Sequence, residues 1–354
     1  MNYNPKFSIC IPNYNYGNYI EATIKSVLDQ SFQDFEIIVS DNKSTDNSLE
    51  KIRAFKDDRI KIIENNTNVG FAPNLQIVTQ RARGNYINLL SSDDIMCKNA
   101  LEMYSKVIDE FGEKSNEIIF FSDVYHIDSM GSVLNVVRRD INYYSRKSFY
   151  SESDYLKLKN DEYNLFPSEK ILERVLKDLR AFAPFLSIIY SKKMWEKVEG
   201  YNALRFVGPD FWFNLKILAE SKSICCINSP LFKYRDHQTL NDVSQNSNMK
   251  QQIDDYLNTL EISNSLLERF NISRDDLINT YVEKLSLNRS LSYFSQGLYL
   301  QAVKIVFFSI ATYPKQTLFR LKLIPIIFFI LIGPLSYPIS KLSKFFLQSF
   351  YKNS

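Results

Sequence analysis

Two adjacent aspartates, Asp93 and Asp94, follow an apolar run at residues 86–90 and two serines. Like charges repel, so two carboxylates at the end of a buried strand need something to neutralise them. A divalent cation between these carboxylates and a bound phosphate does so, and oxygen donors of this kind select magnesium or manganese. The alternative is a helix N-cap, since Ser92 or Asp93 would cap a helix over the segment IMCKNALEMY.

The composition favours oxygen ligands for any metal. The chain has two histidines, His126 and His237, and four cysteines without C-x-x-C spacing, so a histidine cage or a thiolate site is not expected. The phosphate-binding loops G-x-G-x-x-G and G-x-x-x-x-G-K-[ST] are absent from the sequence, which leaves a cation to offset the charge of a bound diphosphate. Without a charged-then-apolar leader, we expect reduced thiols and a cytoplasmic chain.

Four strand patterns alternate with amphipathic helix patterns in the N-terminal part of the chain. The strand patterns lie at Lys6–Pro12, Phe35–Asp41, Arg59–Ile63 and Tyr86–Ser92. This alternation predicts an α/β fold, with a mostly parallel sheet and helices on both faces. Ligands bind beyond the carboxyl ends of the strands in such sheets. We therefore expect Asp41 and the Asp93–Asp94 pair at the same rim of the sheet.

The order of the motifs resembles that of the family 2 glycosyltransferases, which have the GT-A fold. The resemblance covers about residues 5–242. Its motifs are PNYN at Pro12–Asn15, SDNKSTD at Ser40–Asp46, NVG at Asn68–Gly70, SSDD at Ser91–Asp94 and YRDH at Tyr234–His237. The resemblance implies a nucleotide-diphosphate-sugar transferase that inverts the anomeric centre.

The resemblance also implies roles for individual residues. Asp210, which opens a helix pattern, would be the catalytic base that takes a proton from an acceptor hydroxyl. Asp93, Asp94 and His237 would hold Mg²⁺ or Mn²⁺ on the donor diphosphate. The residues implied to contact the nucleotide or its diphosphate are Pro12, Asn13, Tyr14, Asn15, Asp41, Asn68, Asn74, Ser92, Asp93 and Arg235.

The sequence departs from the family pattern in three places. Ser91 stands where the usual Asp-x-Asp signature begins, so the metal assignment depends on Asp93 and Asp94. Leu75 and Gln76 replace a common Arg-Asn pair, which resembles the branch that acts on deoxyhexose donors. The base position reads Gly-Pro-Asp rather than Glu-Asp.

Two rival functions stay open at this point. A membrane-tethered protein on an inactive transferase fold, which binds nucleotide sugars or acts as a scaffold, is favoured by Ser91, whereas the retained carboxylates favour an enzyme. A nucleotidylyltransferase shares this type of sheet but needs a glycine-rich, basic first loop, which PNYNYGNYI lacks. No basic patch is interleaved with base-stacking aromatics in the sequence, so nucleic acid is not an expected partner.

The C-terminal part of the chain is basic. No Asp or Glu follows Glu283, whereas nine Lys and Arg residues do, and because the whole chain carries +3, residues 1–283 carry −6. The uncharged segment Leu323–Ile339 contains three prolines and a glycine. An interfacial segment or hairpin on an anionic membrane is therefore favoured over a spanning helix, with a buried core helix as the alternative.

These patterns predict a GT-A catalytic domain at 1–242, a helical extension at 243–316 and a membrane-associating tail at 317–354. We expect a saccharide acceptor, linked to a lipid at the inner face of the cell membrane, in cell-surface polysaccharide synthesis. Four further acids are interpreted as helix caps or solvated turn charges: Asp46, Asp57, Asp58 and Asp123.

Overall fold

The computed structural model describes residues 4–137, 162–201, 208–236 and 248–332. The strands in these residues are β1 Phe7–Asn13, β2 Phe35–Asp41, β3 Ile60–Glu64, β4 Tyr86–Leu89, β5 Ile95–Met96, β6 Ile118–Ile127, β7 Val133–Val137, β8 Tyr163–Pro167, β9 Ile189–Ser191 and β10 Ser223–Arg235. They form one mixed sheet in the order β3-β2-β1-β4-β9-β6-β10-β5, with β7 beside β6 and β8 beside β10.

The chain divides into two compact units. The first comprises residues 1–174 and 181–238, and the second comprises residues 175–180 and 239–354. The helices up to the end of the first unit are α1 Ile20–Leu28, α2 Ser48–Ala54, α3 Phe71–Gln80, α4 Ala100–Phe111, α5 Ser168–Asp178, α6 Lys192–Lys197 and α7 Pro209–Glu220. The domain boundary predicted after residue 242 lies outside the described residues.

Strand β1 shows how the sequence builds the sheet. Its side chains alternate between two faces: Ile9 and Ile11 pack in one core with α1, whereas the Cys10 thiol lies 3.6 Å from the Val78 carbonyl oxygen of α3. Strand β1 pairs in parallel with β2 and β4. Antiparallel strands complete the sheet, since β9 pairs with β4 and β5 pairs with β10. The predicted α/β fold is confirmed: the N-terminal strands β1 to β4 pair in parallel, and so do β6 and β10.

The segment after the paired aspartates differs from the N-cap interpretation. Ile95 and Met96 form a short strand antiparallel to β10, and α4 begins only at Ala100, with Asn99 as its N-cap. Ser92 and Asp93 therefore cap no helix. Pairing with a strand more than a hundred residues away overrides the local helical pattern of this segment.

All four acids assigned to caps and turns can be compared with the structure. Asp58 is exposed in the turn before β3, as predicted. Asp46 accepts a hydrogen bond from the Ser48 backbone at the start of α2, as predicted. Asp57 accepts one from the Arg59 backbone in the turn before β3. Asp123 was predicted wrongly, because it lies inside β6 and is buried.

The second unit is helical in its described part. Its helices are α8 Asn248–Glu261, α9 Asn264–Glu268, α10 Arg274–Thr280, α11 Asn288–Ser295, α12 Tyr299–Thr312, α13 Pro314–Leu318 and α14 Leu323–Ile332, and a π-helical stretch, Tyr281–Leu287, joins α10 to α11. Buried Gln252 donates to the Tyr281 hydroxyl and to Ser286, and accepts from Arg289. Within the described ranges, no helix combines the length and the hydropathy needed to cross a bilayer.

A buried carboxylate fastens β2 to its neighbours. Glu36 accepts hydrogen bonds from the Ser8 hydroxyl at 2.7 Å, from the Arg83 backbone at 2.7 Å and from the Lys61 ammonium at 2.8 Å. Burial alone would raise the pKa of Glu36, but the bonds from Lys61, Ser8 and Arg83 outweigh burial and hold that pKa below its ordinary value. The ionised form is therefore part of the folded state.

We expect the Glu36→Gln substitution to lower the free energy of unfolding by about 2 kcal/mol, because it removes the charge that two cations share. Urea denaturation measures this change. Glu36 has a depressed folded-state pKa, so its contribution is full at neutral pH and is lost as the pH falls through that pKa. The difference in the free energy of unfolding between the variant and the wild type should therefore become smaller at acidic pH.

The matched control is Glu64→Gln, since Glu64 pairs with Arg53 at a mostly exposed site. An exposed ion pair of this kind contributes about 1 kcal/mol or less. Equal losses in the two variants, or a loss at Glu36 that does not depend on pH, would contradict the role assigned to the buried carboxylate.

Candidate active site

The carboxyl ends of β1 and β2 are joined by side chains. Asn13 and Asp41 are register partners in the parallel pair. The Asn13 amide nitrogen donates to Asp41 Oδ1 at 2.8 Å, and the Ser44 hydroxyl donates to the same oxygen at 2.6 Å. The Ser44 backbone N–H donates to the other carboxylate oxygen at 3.0 Å. These bonds hold Asp41 at the rim, where the sequence predicted it.

The loops beyond these two strands depend on left-handed backbone positions. Asn15 has φ +60° and Lys43 has φ +63°. The Asn15 side-chain oxygen accepts from the Thr45 backbone at 2.7 Å, which ties the first loop to the second. At Gly17 an added Cβ would lie 2.1 Å from Asn47 Oδ1, so the Asn47 side chain would have to move to accommodate a larger residue.

The paired aspartates lie at the end of β4. Asp94 is 1% exposed and Asp93 is 8% exposed. The Thr23 hydroxyl of α1 lies within hydrogen-bond distance of two carbonyl oxygens, 2.9 Å from that of Ser92 and 2.8 Å from that of Asp94. The Ser92 hydroxyl donates to the Pro12 carbonyl at 2.7 Å, so the turn is joined to the end of β1.

Arg235, at the end of β10, bonds to this turn from the other side. Its backbone N–H donates to Asp94 Oδ1 at 2.9 Å, and its Nε donates to the Asp93 carbonyl at 2.8 Å. Its guanidinium also donates to the carbonyls of Asp128 and Ser129, and it lies 4.8 Å from the centre of the Tyr19 ring. These contacts position the aspartates. The implied contact of Arg235 with the diphosphate stays a prediction.

The environment of this turn disfavours the ionised form of Asp94. Burial, followed by the charge of Asp93, raises the pKa of Asp94 well above its ordinary value, while bonds from Arg235 and Ser91 act in the opposite direction. A cation placed beside the pair would offset both the desolvation and the repulsion. The turn is therefore suited to a positive ligand.

The donor atoms at the turn are suited to a hard divalent cation. Asp93 and Asp94 offer carboxylate oxygens, and Mg²⁺ typically takes one or two carboxylates together with substrate phosphate oxygens. Within the described residues, no three His, Cys, Asp or Glu side chains are close enough to hold a metal ion by themselves. His237, the third predicted ligand, lies outside the described residues. The residues present fit a cation that arrives with a diphosphate.

A network of asparagines lies beyond the end of β2. Asn74 is buried, and its amide bonds to the Ser40 carbonyl and hydroxyl and to Asn65. Asn68 accepts from Asn42, which also bonds to the backbone of the same loop. Asn74 thus positions the loop rather than presenting its amide outward. Sequence reasoning missed Asn42, although its place directly after Asp41 at a strand end is a signal.

The predicted base, Asp210, lies in the first turn of α7. Burial and then Tyr190 raise the pKa of the Tyr201 hydroxyl, and the charge of Asp210 contributes in the same direction. The Tyr201 ring stacks on Phe213 of α7, with 4.0 Å between the ring centres. The start of α7 is thereby fixed against a buried aromatic cluster.

The structure brings most of the predicted residues to one rim. Hydrogen bonds join Asp41 to Asn13, and Pro12 to the turn that carries Asp93 and Asp94. Comparison with known protein families identifies the family of this chain. A family model described as Glycosyl transferase family 2 matches residues 8–198, more than half of the chain. The chain belongs to glycosyl transferase family 2.

Curated relatives of this family 2 chain include two bacterial proteins. UDP-Glc:alpha-D-GlcNAc-diphosphoundecaprenol beta-1,3-glucosyltransferase WfgD of Escherichia coli is 35% identical over 127 residues, which are 36% of this chain and 48% of WfgD. Glycosyltransferase GlyG of Streptococcus pneumoniae is 27% identical over 235 residues, which are 64% of this chain and 70% of GlyG. The match therefore spans about half the length of WfgD.

Solved structures confirm the fold class of this family 2 chain. Staphylococcus aureus TarS in complex with UDP-GlcNAc has a TM-score of 0.58 at 17% identity, over 86% of this chain and 80% of TarS. The mannosyltransferase PcManGT from Pyrobaculum calidifontis, in complex with GDP-Man and Mn²⁺, has a TM-score of 0.51 at 12% identity, over 88% and 76% of the two chains. At such identities the likeness concerns the fold alone.

The left-handed backbone conformation of Lys43, two residues after Asp41, can be tested by substitution. We expect the Lys43→Gly substitution to raise the free energy of unfolding by about 0.5–1 kcal/mol, because glycine adopts the left-handed conformation without a Cβ penalty. Chemical denaturation measures the change. Lys25→Gly in α1 is the matched control and should lower stability by about 1 kcal/mol. Destabilisation by both substitutions would contradict the left-handed conformation at Lys43.

Proposed function

We propose that the protein is an inverting glycosyltransferase that moves a sugar from a nucleotide-diphosphate donor to a saccharide acceptor. The observation that carries the proposal is the convergence of Asp41, Asp93 and Asp94 at the carboxyl ends of β2 and β4, the two strands that flank β1 in the parallel part of the sheet. Ligands of such sheets bind at this rim. Membership of family 2 supports the reaction class, and the names of WfgD and of the TarS complex mention UDP-sugars.

The donor nucleotide binds along the ends of β1 and β2. Pro12 to Asn15 and Asn68 line its nucleoside part, and Asp41 accepts hydrogen bonds from ribose hydroxyls. Ser92 and Asp93 lie on the side of the diphosphate. Asn74 acts through the loop that it holds.

Asp93 and Asp94 would hold Mg²⁺ or Mn²⁺ on the donor diphosphate, with His237 as a further ligand. When bound, the cation neutralises the charge that develops on the leaving nucleoside diphosphate. The protein's own residues make the other contributions to donor binding. Arg235 and Thr23 keep the turn in place, so that the two carboxylates need no rearrangement when the donor binds.

Asp210 acts as the general base. It accepts the proton of an acceptor hydroxyl as that oxygen bonds to the anomeric carbon, while the bond from the same carbon to the diphosphate oxygen breaks on the opposite face. The sugar is thus transferred with inversion, and the nucleoside diphosphate leaves with the bonding electron pair. General-base catalysis of this kind contributes about 10²–10⁴-fold to the rate.

We expect Asp210→Asn to lower the rate of sugar transfer about 10²–10⁴-fold while nucleotide binding is unchanged, because the amide cannot take the proton. Asp94→Ala should instead abolish metal-dependent nucleotide binding. The measurement is nucleotide release from a panel of nucleotide sugars with and without manganese, together with calorimetric binding of the nucleotide.

The control for this test is Asp58→Asn, since Asp58 is an exposed acid in the turn before β3. Full transfer activity in Asp210→Asn would contradict the assignment of the base. Binding of a nucleotide without turnover of any donor, even with membrane lipid extract as acceptor, would instead support a binding protein on a transferase fold, as Ser91 suggests.

The acceptor is proposed to be a lipid-linked saccharide at the inner face of the cell membrane, used in cell-surface polysaccharide synthesis. The name of WfgD mentions a diphosphoundecaprenol-linked sugar, which supports this class of acceptor. In the described part of the second unit, Phe319 is 85% exposed, Leu321 is 82% exposed and Leu331 is 79% exposed. Exposed apolar side chains in an acid-free segment suit the interface of an anionic bilayer.

We expect the double substitution Phe319→Gln and Leu321→Gln to weaken binding to phosphatidylglycerol vesicles about tenfold, because two apolar side chains no longer enter the interface. Co-sedimentation with vesicles measures this binding. Met130→Gln, at an exposed apolar residue of the first unit, is the control. Equal binding by the double variant and the control would contradict a membrane role for these residues.

A further inference from the structure

A tight turn at residues 198–201 follows α6. Its two central residues have left-handed backbone conformations, with φ +58° at Glu199 and φ +64° at Gly200. Such a conformation is unfavourable for a residue with a Cβ, and it persists where the surrounding structure holds it. A Cβ added at Gly200 would lie 2.5 Å from Gln76 Oε1 and 2.5 Å from the Trp195 ring. The turn is therefore packed closely against helix α3, which carries Gln76.

Helix α3 bonds to this part of the chain through two side chains. The Gln76 side-chain oxygen accepts a hydrogen bond from the Tyr201 backbone N–H at 2.6 Å. About one helical turn further on, the Thr79 hydroxyl accepts from the indole N–H of Trp195 in α6 at 3.1 Å. Near the start of the same helix, Asn74 holds the loop beyond the end of β2. Helix α3 therefore connects the rim of the sheet to the tight turn.

Helix α7, which carries Asp210, bonds to the same turn. The Lys216 ammonium donates to two backbone carbonyls of the turn, at 2.7 Å and 2.8 Å. The Phe213 ring stacks on the Tyr201 ring, with 4.0 Å between the ring centres. Phe213 and Lys216 follow Asp210 within two turns of one helix, and a helix moves as a rigid element over that length. A shift of the turn would therefore displace the carboxylate of Asp210.

We infer that Gln76 is a positioning residue for the proposed catalytic base, because its bond to the Tyr201 backbone fixes the turn that holds α7 and Asp210. This inference rests on the proposed function, since it concerns the base of that reaction. Gln76 contacts no reacting atom and acts through the turn. Its bond joins the helix beside the rim to the helix that carries the base, so the base keeps its distance from the bound donor. A misplacement of about 1 Å can lower a catalytic rate about 10²-fold.

The test measures kcat and the KM for the donor, with manganese and the nucleotide sugar that the wild type turns over fastest. Gln76→Met keeps the length of the side chain but lacks the accepting oxygen. It should lower kcat about tenfold to a hundredfold and leave the KM within about twofold. Gln76→Glu keeps an accepting oxygen and should retain kcat within about threefold. Gln80→Met, at an exposed position of the same helix, is the matched control and should change neither quantity.

A double-mutant cycle tests whether Gln76 acts through Asp210. In the Asp210→Asn background the carboxylate is already absent, so Gln76→Met should lower the remaining rate less than about twofold. A general loss of structure would instead lower the rate by the same factor in both backgrounds. Lys216→Met removes the bonds from α7 to the turn and should give the same pattern, so the cycle is informative even if Gln76→Met fails to fold.

Equal kcat values for Gln76→Met and Gln80→Met would overturn the inference. So would a fall in kcat for Gln76→Glu as large as that for Gln76→Met, or an equal effect of Gln76→Met in the two backgrounds. These three results leave the transferase activity of the wild type standing. Wild-type protein that turns over no nucleotide sugar would overturn the proposed function and the inference together.

Discussion

Repulsion between two neighbouring carboxylates is the constraint on which the rest of this rim depends. Asp93 and Asp94 are buried side by side, and burial makes the charge of each more costly. The surrounding structure responds with backbone and side-chain bonds to the turn from α1, β1 and β10. The fold therefore holds together two carboxyl groups that repel each other when both are ionised, and the cation proposed above would offset this repulsion.

The loops at this rim are also held in place by hydrogen bonds. The rim contains carboxylates, amides and hydroxyls, and several of these side chains bond to a neighbouring loop. The Asn42 side chain accepts from the Val69 backbone, and the Ser44 hydroxyl accepts from the Asn15 backbone. Loops held in this way keep their conformation before a ligand arrives, so less conformational entropy is lost on binding. A rigid rim is what an enzyme needs if it acts on a flexible sugar donor.

Much of this arrangement could be predicted from the sequence, because local patterns encode it. The apolar strand patterns and the acids that follow them placed Asp41 and the paired aspartates at one rim. The strand Ile95–Met96 could not be predicted, since two residues carry no periodicity and their conformation depends on pairing with β10. The burial of Asp123 within β6 could not be predicted for a related reason. Burial of a carboxylate depends on the tertiary structure around it, which a local sequence pattern does not reveal.

The position of Arg235 in the chain has a consequence for the order of assembly. Its bonds to Asp93 and Asp94 join residues 142 and 141 positions apart. A nascent chain that has emerged only as far as β9 already contains the parallel strands β1 to β4 and both aspartates, yet it lacks Arg235, which holds their turn in place. Contacts of such long sequence separation form late, because the loop must close first. The charged turn should thus stay open until the last strand of the sheet is in place, so maturation of the site follows completion of the fold.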